Sequence, residues 1–508
     1  MLTLSRRLLL TVATLAIPVW AGFAAPAWAR DVVVAQGYDP ESLWPNQTTA
    51  AININPGSAI VESLFWVDPK DNQLKPLLAT GFELESDTSI VVKLREGVKF
   101  TNGEPMDADA VVQSITNVID PKTAPSYALF FGAFQKAEKV DDLTVRITLK
   151  EPYAAIEQAL AVAFIVPPKL WNEVGREKYG LQPVGTGPFV FSSWQRDNQL
   201  VMTKNENYWG ELPEGIDKLI WKPVPDDIAR VSGLKTGEYD VISNVPVSMA
   251  EEIKADTSLT LIPVDSYRIF FNYLAPLEDK SSPLQDKRVR QALNYAVDKK
   301  TLIDTIFYGY GIPTNGQVLR SAQVGFDPSL TDYEYNPEKA KQLLAEAGYP
   351  DGFTMTYKAS SGAYAQDSEV PFAIAGMLEK VGVKTNIEVV EGGEYLRQLR
   401  ATELTPMGFV GMAPPNDPGI MMQLFHSTWR YPYYKNPELD KLIDAGAKEL
   451  DKEKRGEVYR QAMKLMHEEA PLLWLYGAVD FYASSAKITN LKPGGDGKFW
   501  FYDVSAAN

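Results

Sequence analysis

The length of the chain is the feature that most limits its fold, because 508 residues are more than one hydrophobic core usually serves. An apolar fraction of 45% is that of a globular protein. The sequence shows no internal repeat and no low-complexity linker. We therefore predict two or three lobes whose chain segments are interleaved rather than strung one after another.

The first 29 residues have the three-part build of a secretory signal. Arg6 and Arg7 precede a long apolar run, which ends in the small-x-small motif Ala27-Trp28-Ala29. We predict cleavage after Ala29 and export by the general secretion route, although the paired arginines also resemble a twin-arginine signal. A retained membrane anchor is the alternative, which the prolines within the apolar run disfavour.

The chain contains no cysteine, so it has no disulfide, no thiolate nucleophile and no acceptor for a lipid anchor. We therefore expect a soluble exported protein, which an outer membrane would retain in the periplasm. Removing residues 1–29 takes away two arginines and no acidic residue, so the formal net charge changes from −15 to −17. Such a surface repels nucleic acid and anionic lipid, and we predict no partner of either kind.

Few residues are available for catalysis. His426 and His467 are the only histidines, which excludes a three-histidine zinc site and leaves few ways to build a Ser-His-Asp triad. Gly185 and Gly187 do not form a dinucleotide fingerprint, because Pro188 blocks the helix start. We predict no catalytic residue, no metal and no cofactor. Since the 65 acidic residues leave paired carboxylates open, a secreted carbohydrate-active enzyme stays an alternative.

The stretch LREGVKFTNGEPMDADAVVQSI, residues 94–115, predicts a strand, a turn and a capped helix. The pair Asn102-Gly103 supplies the positive φ of a tight turn. Asp107 stands where a side chain can accept hydrogen bonds from the first amides of a helix over 108–118.

The same capping pattern recurs in the C-terminal half. Asp298 is placed to cap a helix over 299–307, and Asn336 and Asn436 each precede a proline at the first position of a helix. Strand-like segments such as FTMTYKA and KTNIEVVE lie between these helices. The C-terminal half is therefore predicted to be α/β.

Six motifs together point to a family. They occur in the order LREGVKFTNGEPMDADAVVQSI, PVGTGPFVFSSW, NENYWG, DKRVRQALNYAVDKKTL, YNPEKAKQLLAEAGYPDGF and YKNPELDKLI. In this order the chain resembles the extracytoplasmic solute-binding proteins of family 5, the peptide/nickel/opine class that serves ABC importers. The resemblance covers nearly the whole mature chain. Within it, NENYWG is expected to be a packing motif.

The resemblance implies an α/β fold of periplasmic-binding-protein type, with two hinged lobes and a third, extra lobe. The implied segments are 30–50, 181–265 and 472–508 for lobe I, 51–180 for lobe II, and 266–471 for lobe III. Two chain crossings, near 263–267 and 469–473, would form the hinge between lobes I and III. A solute would then be captured between lobes I and III by hinge closure.

The candidate ligand-binding residues are Tyr38, Asn416, Asp417, Trp429 and Arg430. Tyr38 follows the first strand, and the others lie in the segments GMAPPNDPG and HSTWRYPYY. Aromatic rings offer contact area at a small cost in rotamer entropy, and the polar side chains can fix a ligand's orientation. Packing within lobe III is the alternative role for Trp429.

Two departures from the family pattern bear on specificity. Pro414 occupies the position where peptide binders of the family place an aspartate for the peptide's amino terminus. The segment 360–372, where dipeptide binders carry an arginine for the carboxylate, holds no arginine or lysine. Because burying an unpaired charge is costly, we predict that simple dipeptides bind poorly.

The sequence thus predicts a monomeric periplasmic receptor that captures a peptide or peptide-like solute and delivers it to the permease subunits of an ABC importer in the inner membrane. A non-peptide solute such as an oligosaccharide or an opine is the second interpretation. A nickel-chelate or haem receptor with His426 as ligand ranks below both, since one histidine makes a poor metal site.

Overall fold

The computed structural model describes residues 30–277, 279–364, 366–413, 416–429 and 432–507. The predicted signal segment 1–29, the family-pattern residue Pro414 and the candidate ligand residue Arg430 lie outside these ranges. Within the described part of the chain, no helix combines the length and the apolar character needed to cross a membrane.

The strands, in chain order, are β1 Arg30–Gln36, β2 Phe65–Asp68, β3 Gln73–Pro76, β4 Ala79–Ser86, β5 Ser89–Leu94, β6 Phe134–Asp141, β7 Thr144–Leu149, β8 Phe189–Gln195, β9 Gln199–Lys204, β10 Ile216–Pro223, β11 Val241–Ile242, β12 Leu259–Leu274, β13 Phe353–Ser361, β14 Val383–Glu391, β15 Met407–Met412, β16 Leu472–Ser485, β17 Ile488–Thr489 and β18 Ser505–Ala506.

The α-helices are α1 Ala51–Ser58, α2 Ala108–Ile119, α3 Ala128–Phe131, α4 Ile156–Ala161, α5 Pro168–Leu181, α6 Asp227–Thr236, α7 Ala250–Ala255, α8 Lys287–Ala296, α9 Lys299–Ile306, α10 Pro337–Glu346, α11 Glu369–Glu379, α12 Gly392–Arg400, α13 Pro418–Gln423, α14 Pro437–Lys448 and α15 Lys452–Glu469.

A mixed sheet with the strand order β14-β13-β15-β12-β16-β11-β1-β10-β9-β8 runs through the molecule. Its two long central strands, β12 and β16, are antiparallel, and their register breaks between Asp265 and Ile269. On one side of the break, residues 259–265 and 479–485 join β11, β1, β10, β9 and β8 in what we call the first half-sheet. On the other side, residues 269–274 and 472–477 join β15, β13 and β14 in the second half-sheet.

Neighbouring side chains of β12 pack on opposite faces of the second half-sheet, as the two-residue period of a strand requires. Phe270 belongs to a buried cluster with Leu293 and Leu344 of α8 and α10. Phe271 belongs to another cluster, with Ile443 and Met463 of α14 and α15. Helices therefore cover both faces of this half-sheet.

A separate four-stranded antiparallel sheet, β4-β5-β7-β6, lies in the segment 51–180. Its buried side chains Ile90 and Val92 share one hydrophobic cluster with Val32 and Val34 of β1. The first half-sheet and this smaller sheet are thus held together by a common core, which fixes their relative position.

The turn and the capped helix predicted for 94–115 are confirmed, whereas the predicted strand is reduced to Leu94 at the end of β5 and an isolated bridge between Lys99 and Pro105. Gly103 has a φ of 89°, as the tight turn requires. The Asp107 carboxylate accepts hydrogen bonds from the amides of Asp109 and Ala110 at the start of α2. Because these contacts are local in sequence, the capping pattern was sufficient to place the helix.

The predicted C-terminal caps are confirmed as well. Asp298 caps α9, which ends at Ile306, one residue before the predicted end. Asn336 caps α10 and Asn436 caps α14, each followed by a proline at the first helical position.

Candidate functional site

A cavity of about 390 Å³ lies beside the second half-sheet, and we call it the cleft cavity. Its walls come from three separated parts of the chain, which include Tyr127 and Phe130, then Tyr364, Arg400 and 411–413, then Asp496 and Lys498. Its volume is in the range of sites for small solutes. Its charged side chains are Arg400, Asp496 and Lys498, which come from two of these parts.

The loop that carries Tyr364 is held in place by one buried carboxylate. Asp367 is 5% exposed and accepts hydrogen bonds from the amides of Gly362, Ala363 and Tyr364, at 3.2, 2.7 and 2.9 Å. It also accepts a bond of 2.8 Å from the Ser360 hydroxyl. With this many donors satisfied, Asp367 is a structural residue that fixes the wall of the cavity.

The Tyr364 ring stands edge-on against Phe270 and Phe409, with centroid distances of 5.7 and 6.0 Å. Burial raises the pKa of Tyr364, while the positive charges of Arg268 and Arg400 act in the opposite direction. Both guanidinium groups are therefore close enough to Tyr364 to influence its hydroxyl electrostatically. Tyr364 therefore offers a neutral hydroxyl in a region of positive charge.

Some arginines in and near this region have no bonding partner among the described residues. Of the arginines that the structure describes, three have guanidinium groups for which no hydrogen bond or ion pair to a described residue is formed: Arg268, Arg320 and Arg400. The buried Arg455, by comparison, binds Asp417 through two hydrogen bonds. A guanidinium is a fork of donors suited to carboxylates and phosphates. Of these three, Arg400 lines the cleft cavity, so its guanidinium is available there to an anionic group.

Another part of the cavity wall comes from a glycine-rich loop, 494–497, which packs directly on β12. The Gly495 carbonyl accepts a hydrogen bond of 2.7 Å from the Tyr267 amide. A Cβ at Gly495 would lie 2.7 Å from the Asp265 carbonyl oxygen, so a larger residue would push the loop away from the strand. The loop presents Asp496 and Lys498, which form an ion pair of 2.8 Å, to the cleft cavity.

The segment 51–180 touches the α14 region directly. The Ala154 amide donates a hydrogen bond of 2.9 Å to the Ala447 carbonyl, and Lys448 forms an ion pair of 2.7 Å with Glu151. A backbone hydrogen bond at this distance requires close approach of the two segments. The molecule therefore has a closed arrangement on this side.

Asp417, a predicted ligand residue, is engaged within the protein. Its two carboxylate oxygens accept bonds of 2.7 and 2.9 Å from Arg455, and one of them also accepts the Gly419 amide at 2.7 Å. The two charged side chains are 11% and 8% exposed. This arrangement is that of a buried ion pair that caps α13.

The other described candidates lie in different places. Trp429 lines a cavity of about 370 Å³ together with Arg455 and Lys448. Asn416 borders a small cavity of about 30 Å³, and its buried Oδ1 accepts no hydrogen bond from a described residue. Tyr38 is 70% exposed. The structure does not bring these candidates into one cavity, and their role in ligand binding stays a prediction.

Sequence reasoning missed most of the residues that line the cleft cavity, although 411–413 belong to the predicted segment GMAPPNDPG. Tyr364 lies within 360–372, for which the sequence predicted only the absence of a cationic anchor. The sequence does carry one usable signal, the run Gly494-Gly495-Asp496-Gly497, whose glycines permit close approach to another strand. Among the described residues, no group of three or more histidine or acidic side chains is placed to hold a metal ion.

Comparisons with known proteins agree on one family. The family described as "Bacterial extracellular solute-binding proteins, family 5 Middle" matches residues 73–432. The glutathione-binding protein GsiB of Pectobacterium atrosepticum is 30% identical over 522 aligned residues, which cover 99% of either chain.

Solved structures agree with this match. The structure of HbpA2 from Haemophilus parasuis aligns with a TM-score of 0.83 and 27% identity, covering 94% of this chain and all of that one. The periplasmic binding protein DppA from Helicobacter pylori, in complex with the peptide STSA, aligns with a TM-score of 0.78 and 24% identity over 95% of this chain and 99% of that one. At this identity, the likeness to DppA concerns the fold alone.

Proposed function

Because the chain belongs to family 5 of the bacterial extracellular solute-binding proteins, we propose that it captures a small acidic peptide or peptide-like solute in the cleft cavity and delivers it to an ABC importer. The predicted family and the predicted α/β fold of periplasmic-binding-protein type are confirmed. The family consists of solute-binding proteins and not of enzymes, so the carbohydrate-active enzyme is set aside.

The unpartnered guanidinium groups beside Tyr364 carry this proposal. Arg400 lines the cleft cavity, and the charge of Arg268 acts on the same tyrosine. The Nε atom of Arg268 is buried without a hydrogen-bond partner among the described residues, so no described acceptor compensates this donor. A solute carboxylate placed between these groups would accept charge-assisted hydrogen bonds.

The relatives favour a peptide-like solute. GsiB is named for glutathione, a tripeptide with two carboxylates and one ammonium group. The Asp496 side chain gives the cleft one acidic group beside Lys498, which suits a ligand carrying both signs of charge. The prediction that simple dipeptides bind poorly is compatible with a larger peptide-like solute. The arginines without partners do not stand at the two positions, 414 and 360–372, where dipeptide binders of the family place their charged anchors.

We place the hinge at the register break of the central strands. Between Asp265 and Ile269 in β12, and near Gly477 in β16, the chain passes from one half-sheet to the other. The first position overlaps the predicted crossing 263–267, whereas the second lies a few residues after the predicted crossing 469–473. A few residues at such points can absorb the rotation that closes two lobes over a ligand. The other lobe boundaries given above stay predictions.

The location and the partners follow from the family and the signal-like N-terminus. We propose export with cleavage after Ala29, residence in the periplasm, and docking of the loaded monomer on the permease subunits of the importer. Mass spectrometry of the protein recovered from a periplasmic extract measures the first residue directly. An intact N-terminus in a membrane fraction would contradict this part of the proposal.

The binding proposal is tested by calorimetry on protein that has been unfolded and refolded, so that no solute carried through purification occupies the cleft. The panel contains glutathione and short acidic peptides, each paired with its fully esterified form. We expect at least one free acid to bind, and its ester to bind about tenfold more weakly or worse, since a hydrogen bond to a charged group contributes about 1.5–3 kcal/mol.

Variants test which arginine binds the carboxylate of the solute. Arg400→Gln should weaken binding of the acid but not of the ester, whereas Arg460→Gln, which removes an exposed arginine paired with Glu457, should change neither. Equal binding of acid and ester, or no binding by any member of the panel, would contradict the proposal.

A further inference from the structure

Arg320 lies outside the cleft cavity and is the most buried of the three unpartnered arginines. The residue is 9% exposed, and its Nη1 atom is buried without a hydrogen-bond partner among the described residues. Burial lowers its pKa, and Asp265 is the charged group that acts in the opposite direction. Leaving a guanidinium buried and unpaired costs free energy, so its position requires a reason.

The Arg320 side chain occupies a notch in β16. A Cβ built at Gly477 would lie 1.2 Å from Nη1, so the guanidinium fills the space that this glycine leaves open. The backbone of Gly477 is itself paired with Ile312 by hydrogen bonds of 2.7 and 3.0 Å. Strand and side chain are therefore matched to each other at the point where the chain passes between the half-sheets.

Hydrogen bonds of Gln323 hold the loop around Arg320 in place. The Gln323 side chain accepts a hydrogen bond of 2.8 Å from the Arg320 amide and donates one of 2.9 Å to the Asn416 carbonyl. Gln323 is 6% exposed. The hydrogen bonds thus fix the backbone of Arg320 while its side chain is left without a partner, which is the arrangement of a pre-organised donor.

A second cavity, of about 400 Å³, is lined by Arg320, and we call it the Arg320 cavity. Lys492 and Asp265 also line it, so its charged side chains are two cations and one carboxylate. It shares Tyr267 and Gly494 with the small cavity next to Asn416. That small cavity in turn shares Asp496 and Lys498 with the cleft cavity, so three cavities follow one another along the 494–498 segment.

We infer that Arg320, assisted by Lys492, forms a second oxyanion subsite that binds a carboxylate at the far end of an extended acidic solute. The inference rests on the proposed function for the source of the carboxylate. Because Nη1 is buried against Gly477, the side of the fork formed by Nε and Nη2 provides two parallel donors for the two oxygens, and Lys492 adds a positive charge at the exposed side. Closure of the half-sheets would enclose this end of the solute together with the end at Arg400.

The subsite itself is tested without any solute. Thermal unfolding is measured in acetate and in inorganic phosphate, each against chloride at equal ionic strength. We expect both oxyanions to raise the melting temperature of the wild type above the chloride value. The increase should disappear in Arg320→Gln, fall in Lys492→Gln and persist in the control Arg460→Gln. The Lys492 variant removes an exposed side chain, so it keeps the test valid if Arg320→Gln does not fold.

An unchanged increase in both Arg320→Gln and Lys492→Gln, or no increase in the wild type, would overturn the subsite. The carboxylate source is tested separately, with the free acid that binds in the calorimetric panel. Arg320→Gln should weaken it about tenfold or more and leave its ester unaffected. If the oxyanions bind but the acid is not weakened, the subsite takes free anions and the assignment to the solute is wrong. If no panel member binds, the proposed function fails while the oxyanion result stands.

Discussion

The buried carboxyl group of Glu62 should make stability depend on pH near neutrality. Glu62 is completely buried and accepts hydrogen bonds of 2.7 Å from the Tyr208 hydroxyl and 2.8 Å from the Trp209 indole. Burial raises its pKa from 4.5 to about 7, and the hydrogen bonds and Arg95 offset only part of this rise. The two aromatic donors belong to NENYWG, which confirms the predicted structural role of that motif.

The direction in which stability changes with pH follows from proton linkage. Below about pH 4.5, Glu62 is protonated in both the folded and the unfolded state, and its contribution to stability is fully present. Between about pH 4.5 and pH 7 the folded state keeps the proton that the unfolded chain has released, so stability falls as pH rises. Above about pH 7 both states are ionised and the loss is complete. At about 1.4 kcal/mol per pKa unit, the total is about 3 kcal/mol.

The assay is urea unfolding at about pH 5 and about pH 8, a window in which roughly 2–3 kcal/mol of this loss falls. Glu62→Gln is neutral at every pH and keeps one carbonyl acceptor. Between the two pH values its free energy of unfolding should therefore fall by roughly 2–3 kcal/mol less than that of the wild type. Glu388→Gln, which changes an exposed glutamate, should follow the wild type. Equal pH dependence in the wild type and Glu62→Gln would refute the reasoning.

Three further variants test the packing around the site. Asp417→Ala leaves Arg455 buried without its partner and should lower the free energy of unfolding by about 3–5 kcal/mol in urea titrations; a fully stable variant that has lost solute binding would instead support a direct ligand contact. Gly495→Ala forces the loop off Asp265, which should cost about 1–3 kcal/mol and weaken solute binding in calorimetry; unchanged binding would contradict the role of the loop. Asp107→Ala removes a helix cap and should cost about 1 kcal/mol in thermal unfolding with solute affinity unchanged; a loss of affinity would show that the two regions are coupled.

The helix caps show what the sequence could predict. Asp107, Asp298 and Asn436 bind amides two or three residues away, so their spacing alone contains the needed information. The six motifs likewise predicted the family, because they occur in the family's order over nearly the whole mature chain.

The cleft was harder to predict for a physical reason. Tyr364, Arg400 and Lys498 are far apart in sequence, and they line one cavity only because the loop after β13, the end of α12 and the segment 494–498 lie together in the fold. Asp417 shows a contact that its local sequence does not reveal. A polar residue beside a proline was predicted to bind ligand, and the structure pairs it with Arg455, which lies on α15.

The most direct test of the account is a crystal structure of the protein with the panel member that binds it best. We expect the solute in the cleft cavity, with a carboxylate against Arg400 and Arg268 and its chain running beside the 494–498 segment. A solute bound instead in the cavity beside Trp429, or one whose carboxylates touch neither arginine, would contradict the central claim.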